Sequence, residues 1–309
     1  MSSTGTRPAA RWRPCHVYLP SSLQTGFLRE VVGPTVRDAG MWDRFFFLRY
    51  WQGGPHIRLR TDTADEDAAE RVRRALVSAM PSLTAEQAAE YQQQVSHQAE
   101  LATLEGEQPV PARAAGTVEP AVYSPEYAKY GGTEGVRVAE ELFRATSAAV
   151  LDLFSGRDGV ALKAPAGAAM RIMVMSLKGS GLDLERSREF LGRYERQWRA
   201  WVPPGYDETW SGMYDKTGRM VTNLCRSVWS DGATDAFHDI YAKAVTAARE
   251  VRDPTGSDDL AELSLDGTPY FHCLANYIHT TNNRLGILPV AEAFLAYVIG
   301  RCMDELSAA

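Results

Sequence analysis

The stretch Phe45-Phe46-Phe47-Leu48-Arg49-Tyr50-Trp51-Gln52-Gly53-Gly54-Pro55-His56-Ile57-Arg58-Leu59-Arg60 decides the fold. Residues 44–51 are rich in aromatic side chains, which suit a pleated surface. Gly53-Gly54-Pro55 ends that run, and residues 56–60 then alternate polar and apolar with a period of two. Two such runs around a Gly-Pro turn predict an antiparallel hairpin. Upstream, residues 1–11 read as a loose polar tail, 12–19 as a strand, and the stretch from 22 toward 38 as a helix. Downstream, helices are predicted at roughly 64–80 and 84–104, the second capped by Thr84 with Glu86 close behind. A Pro-, Gly- and Ala-rich loop over 106–118 and a short strand over 117–123 follow.

Beyond about residue 133 the pattern becomes helical. Ala139, Leu142, Phe143, Thr146, Val150, Leu153 and Phe154 recur at spacings of three and four and so share one helix face. Segments near 167–178, 183–201, 207–229, 234–251, 270–282 and 288–304 read the same way, with turn signals at 202–205 and 253–256. The expected class is α+β: a small antiparallel sheet with flanking helices, then a mostly helical part. A single domain over 12–309 is expected, with an α+β part at 12–132 and a helical part at 133–309.

Composition bounds the function. With 309 residues, 45% hydrophobic and 23% charged, the chain is an ordinary globular protein with a sizeable core. A net charge of −6 argues against a nucleic-acid footprint over the whole surface, although 33 Lys and Arg residues leave local patches open. Four cysteines without a CxxC pair suit reduced, mostly buried thiols in a cytosol. The N-terminal stretch lacks the apolar core of a signal peptide, and the apolar run at 293–299 is far too short to cross a bilayer. A cytoplasmic location without membrane contact is therefore expected. GxGxxG, GxxxxGK[ST], HExxH and GxSxG are all absent, and no metal or organic cofactor is indicated.

Three stretches carry candidate chemistry. In the first, period two puts His56, Arg58 and Arg60 on one face of a strand. Such a row suits carboxylates, which a guanidinium meets with a planar fork, although a solvated edge strand explains it equally well. The second is Tyr123-Ser124-Pro125-Glu126-Tyr127-Ala128-Lys129-Tyr130-Gly131-Gly132. A helix-entry loop with half-buried tyrosines accounts for most of it, but less well for Glu126 and Lys129, which are three apart and able to pair. The third runs from His272 to Gly286, with His272, Asn276 and His279 on one helix face and Asn282, Asn283 and Arg284 at the helix end. No third ligand stands at a metal spacing, and a helical histidine is often only a packing or surface residue.

Taken in order, FFFLRYWQGGPHIRLR, YSPEYAKYGGTEGVRVAEELFRATS and IHTTNNRLGI resemble the hallmark stretches of the lantibiotic dehydratase C-terminal domain. The same domain occurs alone in thiopeptide-type bacteriocin biosynthesis proteins, and the likeness runs from about residue 12 to about residue 306. The resemblance implies one of two activities. One is expulsion of glutamate from a glutamylated Ser or Thr of a ribosomally made peptide, leaving dehydroalanine or dehydrobutyrine. The other is a formal [4+2] cycloaddition of two dehydroalanines that builds a pyridine and releases the leader peptide.

Elimination must remove a weakly acidic Cα proton, stabilise an enolate and release a carboxylate, and cations assist the last two. By resemblance, Arg58, Arg60, Glu126, Lys129 and His279 form the catalytic set. His56, Tyr130, Asn283 and Arg284 are expected to bind substrate. Lys129 stands where the eliminating branch has Arg, which keeps the charge but loses the bidentate fork. A desolvated lysine beside the arginines would serve as the base. Arg58 and Arg60 suit the glutamyl carboxylate and enolate, and His279 suits proton transfer near the leaving group. Retention of this set ranks elimination first. The aromatic-rich stretch 206–214 and the lysine keep cycloaddition open, and a silent module that captures peptide on an exposed strand edge ranks last. The expected partners are a precursor peptide with its leader and a separate glutamyl-tRNA-dependent glutamylating enzyme, which would contact the transfer RNA instead of this chain. The oligomeric state stays open, a homodimer included.

Overall fold

The computed structural model describes residues 11–156, 165–249, 251 and 269–308, with the backbone alone at 207 and 269–272. The turn read at 253–256 and nearly all of the tail lie outside the described residues. The chain divides into two units, with the boundary between Ser124 and Pro125. That is a few residues before the division read from periodicity.

The N-terminal unit holds an antiparallel sheet of four strands, β1 (Trp12–Tyr18), β2 (Phe45–Tyr50), β3 (His56–Asp62) and β4 (Val118–Pro120), in the order β2-β3-β1-β4. Side chains paired directly across strands stand on the same face. One face therefore carries the rows Tyr50, His56, Tyr18; Leu48, Arg58, His16, Glu119; and Phe46, Arg60, Pro14. The other face presents Phe45, Phe47, Ile57, Leu59 and Val17, all buried. Helices α1 (Ser21–Phe27), α2 (Gly33–Asp38) and α3 (Glu66–Ser78) belong to the same unit, with α1 packing against β3 and α3 against β1 and β4.

Two local features depart from the expected helices. The helix from residue 21 to 38 contains a π-helical turn at Leu28–Val32, just before Pro34. Proline has no N–H to donate to residue 30, so the ladder loosens there. The stretch expected as one helix over 84–104 is broken into α4 (Ala85–Ser96) and α5 (Gln98–Glu105). Thr84 caps α4 as expected, with Glu86 in the first turn, and Gln87 completes a capping box. The break turns Gln98 toward the hairpin, where it accepts from Gly53 N–H and donates to the Val110 carbonyl (3.0 Å). Gly53 and Gly54 both have positive φ, and a Cβ on Gly54 would lie 2.2 Å from the Tyr91 hydroxyl, so glycine is required there.

The C-terminal unit is helical: α6 (Gly132–Ser155), α7 (Pro165–Gly179), α8 (Leu184–Trp198), α9 (Tyr206–Trp229), α10 (Ala236–Ala248), α11 (Pro269–Leu285) and α12 (Pro289–Ser307). α12 packs on α8 and α9, α10 on α6 and α7, and α11 on α6. All four cysteines are free and buried. Among the described residues no single helix is long and apolar enough to cross a membrane. No cluster of three or more His, Cys, Asp or Glu that could hold a metal ion occurs among them either.

Where α7 ends against α10, a Cβ on Gly179 would sit 2.2 Å from the His238 carbonyl oxygen. Backbone cannot yield there as a flexible side chain can. Gly179→Ala is therefore expected to cost about 2–3 kcal/mol, lowering the thermal midpoint by about 5–10 °C. Gly167→Ala on the same helix meets nothing within 4 Å and serves as the neutral control. Calorimetry that finds the two variants equal would refute this account of the crossing.

Candidate active site

In the N-terminal unit, His56, Arg58 and Arg60 do share a face of β3. His56 is 1% exposed. Its Nδ1 lies 2.8 Å from the Gly54 carbonyl, which only accepts, so Nδ1 carries the proton. Nε2 is then the acceptor for Arg58 Nε–H at 3.3 Å. The ring thus orients Arg58. The Arg58 guanidinium lies 3.4 Å from the centre of the Tyr50 ring, and that of Arg60 lies 4.5 Å from Tyr123 and 5.0 Å from Phe46. Aromatic faces attract guanidinium and pin its plane.

His16, which sequence reading passed over, stacks on His56 with ring centres 4.6 Å apart. Burial, reinforced by Arg58 and Arg60, lowers the His16 pKa to about 4. Burial first, then the neighbouring His16 and arginines, takes His56 to about 3 against a raising hydrogen bond to Gly54. Both rings are neutral at pH 7, and the positive charge in their midst stays on the two arginines.

In the C-terminal unit, Lys129 Nζ and Glu126 Oε1 form the expected ion pair, at 3.1 Å. The Lys129 side chain is 35% exposed, so it is a partnered, partly solvated ammonium, not a desolvated one. Tyr130 is buried, stacked on Tyr277 with ring centres 5.8 Å apart and edge-on to Phe143. The Lys129 carbonyl accepts from Cys273 Sγ at 3.5 Å. The second and third stretches of sequence are therefore brought together, the 126–130 loop resting on α11. Gly135 permits this, since a Cβ there would fall 1.6 Å from the Tyr130 carbonyl oxygen.

On α11, His279 is backed by a group that no stretch had flagged. Its Nδ1 lies 2.8 Å from Oε1 of Glu292, which is 0% exposed in the first turn of α12. Trp198 of α8 stacks on the imidazole at 4.5 Å. Asn283 is half-buried near the helix end. Arg284, expected to bind substrate, is 0% exposed. Its Nε donates to Ser147 Oγ (2.9 Å), its Nη1 to the Thr280 carbonyl (2.8 Å), and its guanidinium lies 4.9 Å from the Phe143 ring. These contacts make it a packing residue inside the helical unit. The side chain of His272 lies outside the described residues. Of the aromatic residues in 206–214, Tyr206 is exposed at the start of α9, while Trp210 packs on Phe294 and Tyr297 and the Tyr214 hydroxyl donates to Glu305.

Fold and polar groups together define a two-unit α+β protein with guanidiniums mounted on a sheet face and a carboxylate-backed histidine among its helices. The chain belongs to the family described as lantibiotic biosynthesis dehydratase C-term, whose model matches residues 12–303. Among solved structures it is similar to TbtD, a pyridine synthase from thiomuracin biosynthesis, with a TM-score of 0.67 and 18% identity, over 96% of this chain and 99% of that one. It is similar to TsrL with a TM-score of 0.61 and 17% identity, over 97% and 96% of the two chains. MibB, a tRNA-dependent lantibiotic dehydratase from Microbispora sp. 107891, matches with a TM-score of 0.58 and 19% identity, over 99% of this chain but 29% of that one. At these identities the likeness is one of fold. No curated protein matches the sequence.

Proposed function

We propose that the protein eliminates glutamate from glutamylated Ser or Thr residues of a ribosomally made precursor peptide. The observation that carries this reading is the pair Arg58 and Arg60, set side by side on one sheet face among histidines that stay neutral. Two fixed cations without added histidine charge suit a substrate that leaves as a carboxylate through an enolate. In this reading a base takes the Cα proton, the Cβ–O bond breaks, and its electron pair departs with glutamate. Arg58 and Arg60 stabilise the enolate and the leaving carboxylate. His279 transfers the proton, since its imidazole is held by Glu292 through Nδ1. Lys129 is engaged with Glu126 in the C-terminal unit and does not serve as the base. A separate enzyme using glutamyl-tRNA supplies the ester, and the reaction belongs to the cytoplasm.

The second reading is cycloaddition of two dehydroalanines, favoured by the whole-length fold match to a pyridine synthase. Against it, of the aromatic residues in 206–214 Trp210 and Tyr214 are spent on internal packing, which leaves Tyr206 alone exposed for two alkenes.

The deciding experiment is incubation with a glutamylated Ser-containing peptide, followed by mass spectrometry. Loss of one glutamate with formation of an alkene is expected, slowed about 10²–10⁴-fold in His279→Ala. An intact ester would sink the elimination reading. Ring closure on a dehydroalanine-bearing precursor would then support the second.

A further inference from the structure

We propose that Glu292 is the positioning residue for His279, fixing the Nδ1–H tautomer so that Nε2 is the atom that exchanges protons with substrate. The inference deepens the elimination reading and rests on it only for the reaction served. Side chains from two other helices converge on this one carboxylate of α12. From α11, His279 Nδ1 meets Oε1 at 2.8 Å, and Asn282 Nδ2 donates to Oε2 at 3.0 Å. From α8, the Tyr194 hydroxyl donates to the same Oε2. Burial and the adjacent Glu292 hold the Tyr194 pKa well above its ordinary value, so the phenol remains a donor.

Folding alone gives little reason for this arrangement. A buried ionisable carboxylate is costly to desolvate, and an apolar side chain would fill the space at lower cost. The carboxylate is instead fully satisfied, and of its three partners only His279 has a substantial part of its side chain, 25%, open to solvent. With Oε2 occupied by two donors, Oε1 is the oxygen that faces the ring, and it accepts from Nδ1–H. Trp198 stacked on the imidazole at 4.5 Å opposes rotation of the ring away from that bond. A histidine whose second nitrogen is tied to a buried carboxylate has its tautomer and its plane decided before substrate arrives.

The test is Glu292→Gln, with the tautomer read directly. Tyr194 and Asn282 both donate toward the Oε2 position, so the new amide must place its oxygen there and turn its NH₂ toward His279 Nδ1. That forces the Nε2–H tautomer and removes the acceptor that the reaction needs. In the full-length protein labelled with ¹⁵N-histidine, long-range ¹H–¹⁵N spectra are expected to show His279 as Nδ1–H in the wild type and Nε2–H in the variant. The elimination rate is expected to fall about 10²–10⁴-fold, as for other histidines put into the wrong tautomer. An Nε2–H tautomer in the wild type would overturn the proposal, and that spectrum requires no variant to fold. A folded Glu292→Gln protein with unchanged tautomer and rate would overturn it as well. If the tautomer switches as described but neither protein eliminates glutamate, the positioning role stands and the elimination reading falls.

Discussion

Arg58→Ala is expected to slow glutamate elimination by about 10²–10³-fold, the usual loss when one fixed donor to a developing oxyanion is removed. The guanidinium is held from two sides, by the face of Tyr50 at 3.4 Å and by His56 Nε2 at 3.3 Å. Its charge and its plane are both set before substrate binds. Arg58→Lys keeps the charge but loses the fork and the flat face against Tyr50, so it is expected to recover only a minor part of the rate. His56→Ala leaves the charge in place and unties one side, so an intermediate loss is expected. Single-turnover mass spectrometry on a glutamylated peptide orders the three variants. Full activity in Arg58→Lys would show that charge alone matters and that the sheet face contributes no geometry.

The same histidines make the protein sensitive to acid. Unfolded, each would titrate near its ordinary value of 6.5, whereas the folded values are about 4 for His16 and about 3 for His56. Above pH 6.5 both states are neutral and nothing is lost. As pH falls below 6.5 the unfolded chain takes up protons that the folded rings refuse, so stability falls with pH until the folded values are reached. At pH 4.5 His56 alone should withdraw on the order of 3 kcal/mol, from about 1.4 kcal/mol for each unit of pKa. Urea midpoints measured between pH 7 and 4.5 should fall steeply in the wild type and less in His56→Gln, whose amide can still donate to Gly54 and accept from Arg58. Parallel curves for the two proteins would refute this cause.

What could be read in the sequence was what short-range periodicity encodes. The hairpin at 45–62, the strand after residue 12 and the helices from 132 onward follow from alternation and from the three–four spacing of apolar residues. The capping residue Thr84 was legible because capping is local, and the family was legible from three contiguous stretches. Features set by distant partners were not. The break at His97 answers to Gly53, far back in the hairpin, and no pattern within 84–104 announces it. Arg284 looked like a ligand-binding residue because a charge at a helix end normally faces water, and only packing against Ser147 and Phe143 buries it. Glu292 was hidden for the opposite reason. An acid in the first turn of a helix reads as a complement to the helix dipole, and that ordinary explanation absorbed it. The signal available was its company, a single carboxylate amid Val290, Ala291, Ala293, Phe294 and Leu295. His16 offered no signal, because its importance comes from the strand register that sets it opposite Arg58.

The bond from Arg284 to Ser147 joins residues 137 positions apart, and that from Glu292 to Tyr194 spans 98. All the strand pairings, by contrast, lie within residues 12–120. During synthesis the sheet unit can therefore close from chain that has already emerged, while α6 to α10 wait for α11 and α12 to be made. At about 5–20 residues per second, the interval between Ser147 and Arg284 lasts about 7–27 s. As α6 to α10 emerge in turn, their apolar stripes lack their last partners. Slower translation across the second half of the message lengthens the time that this apolar surface stays exposed.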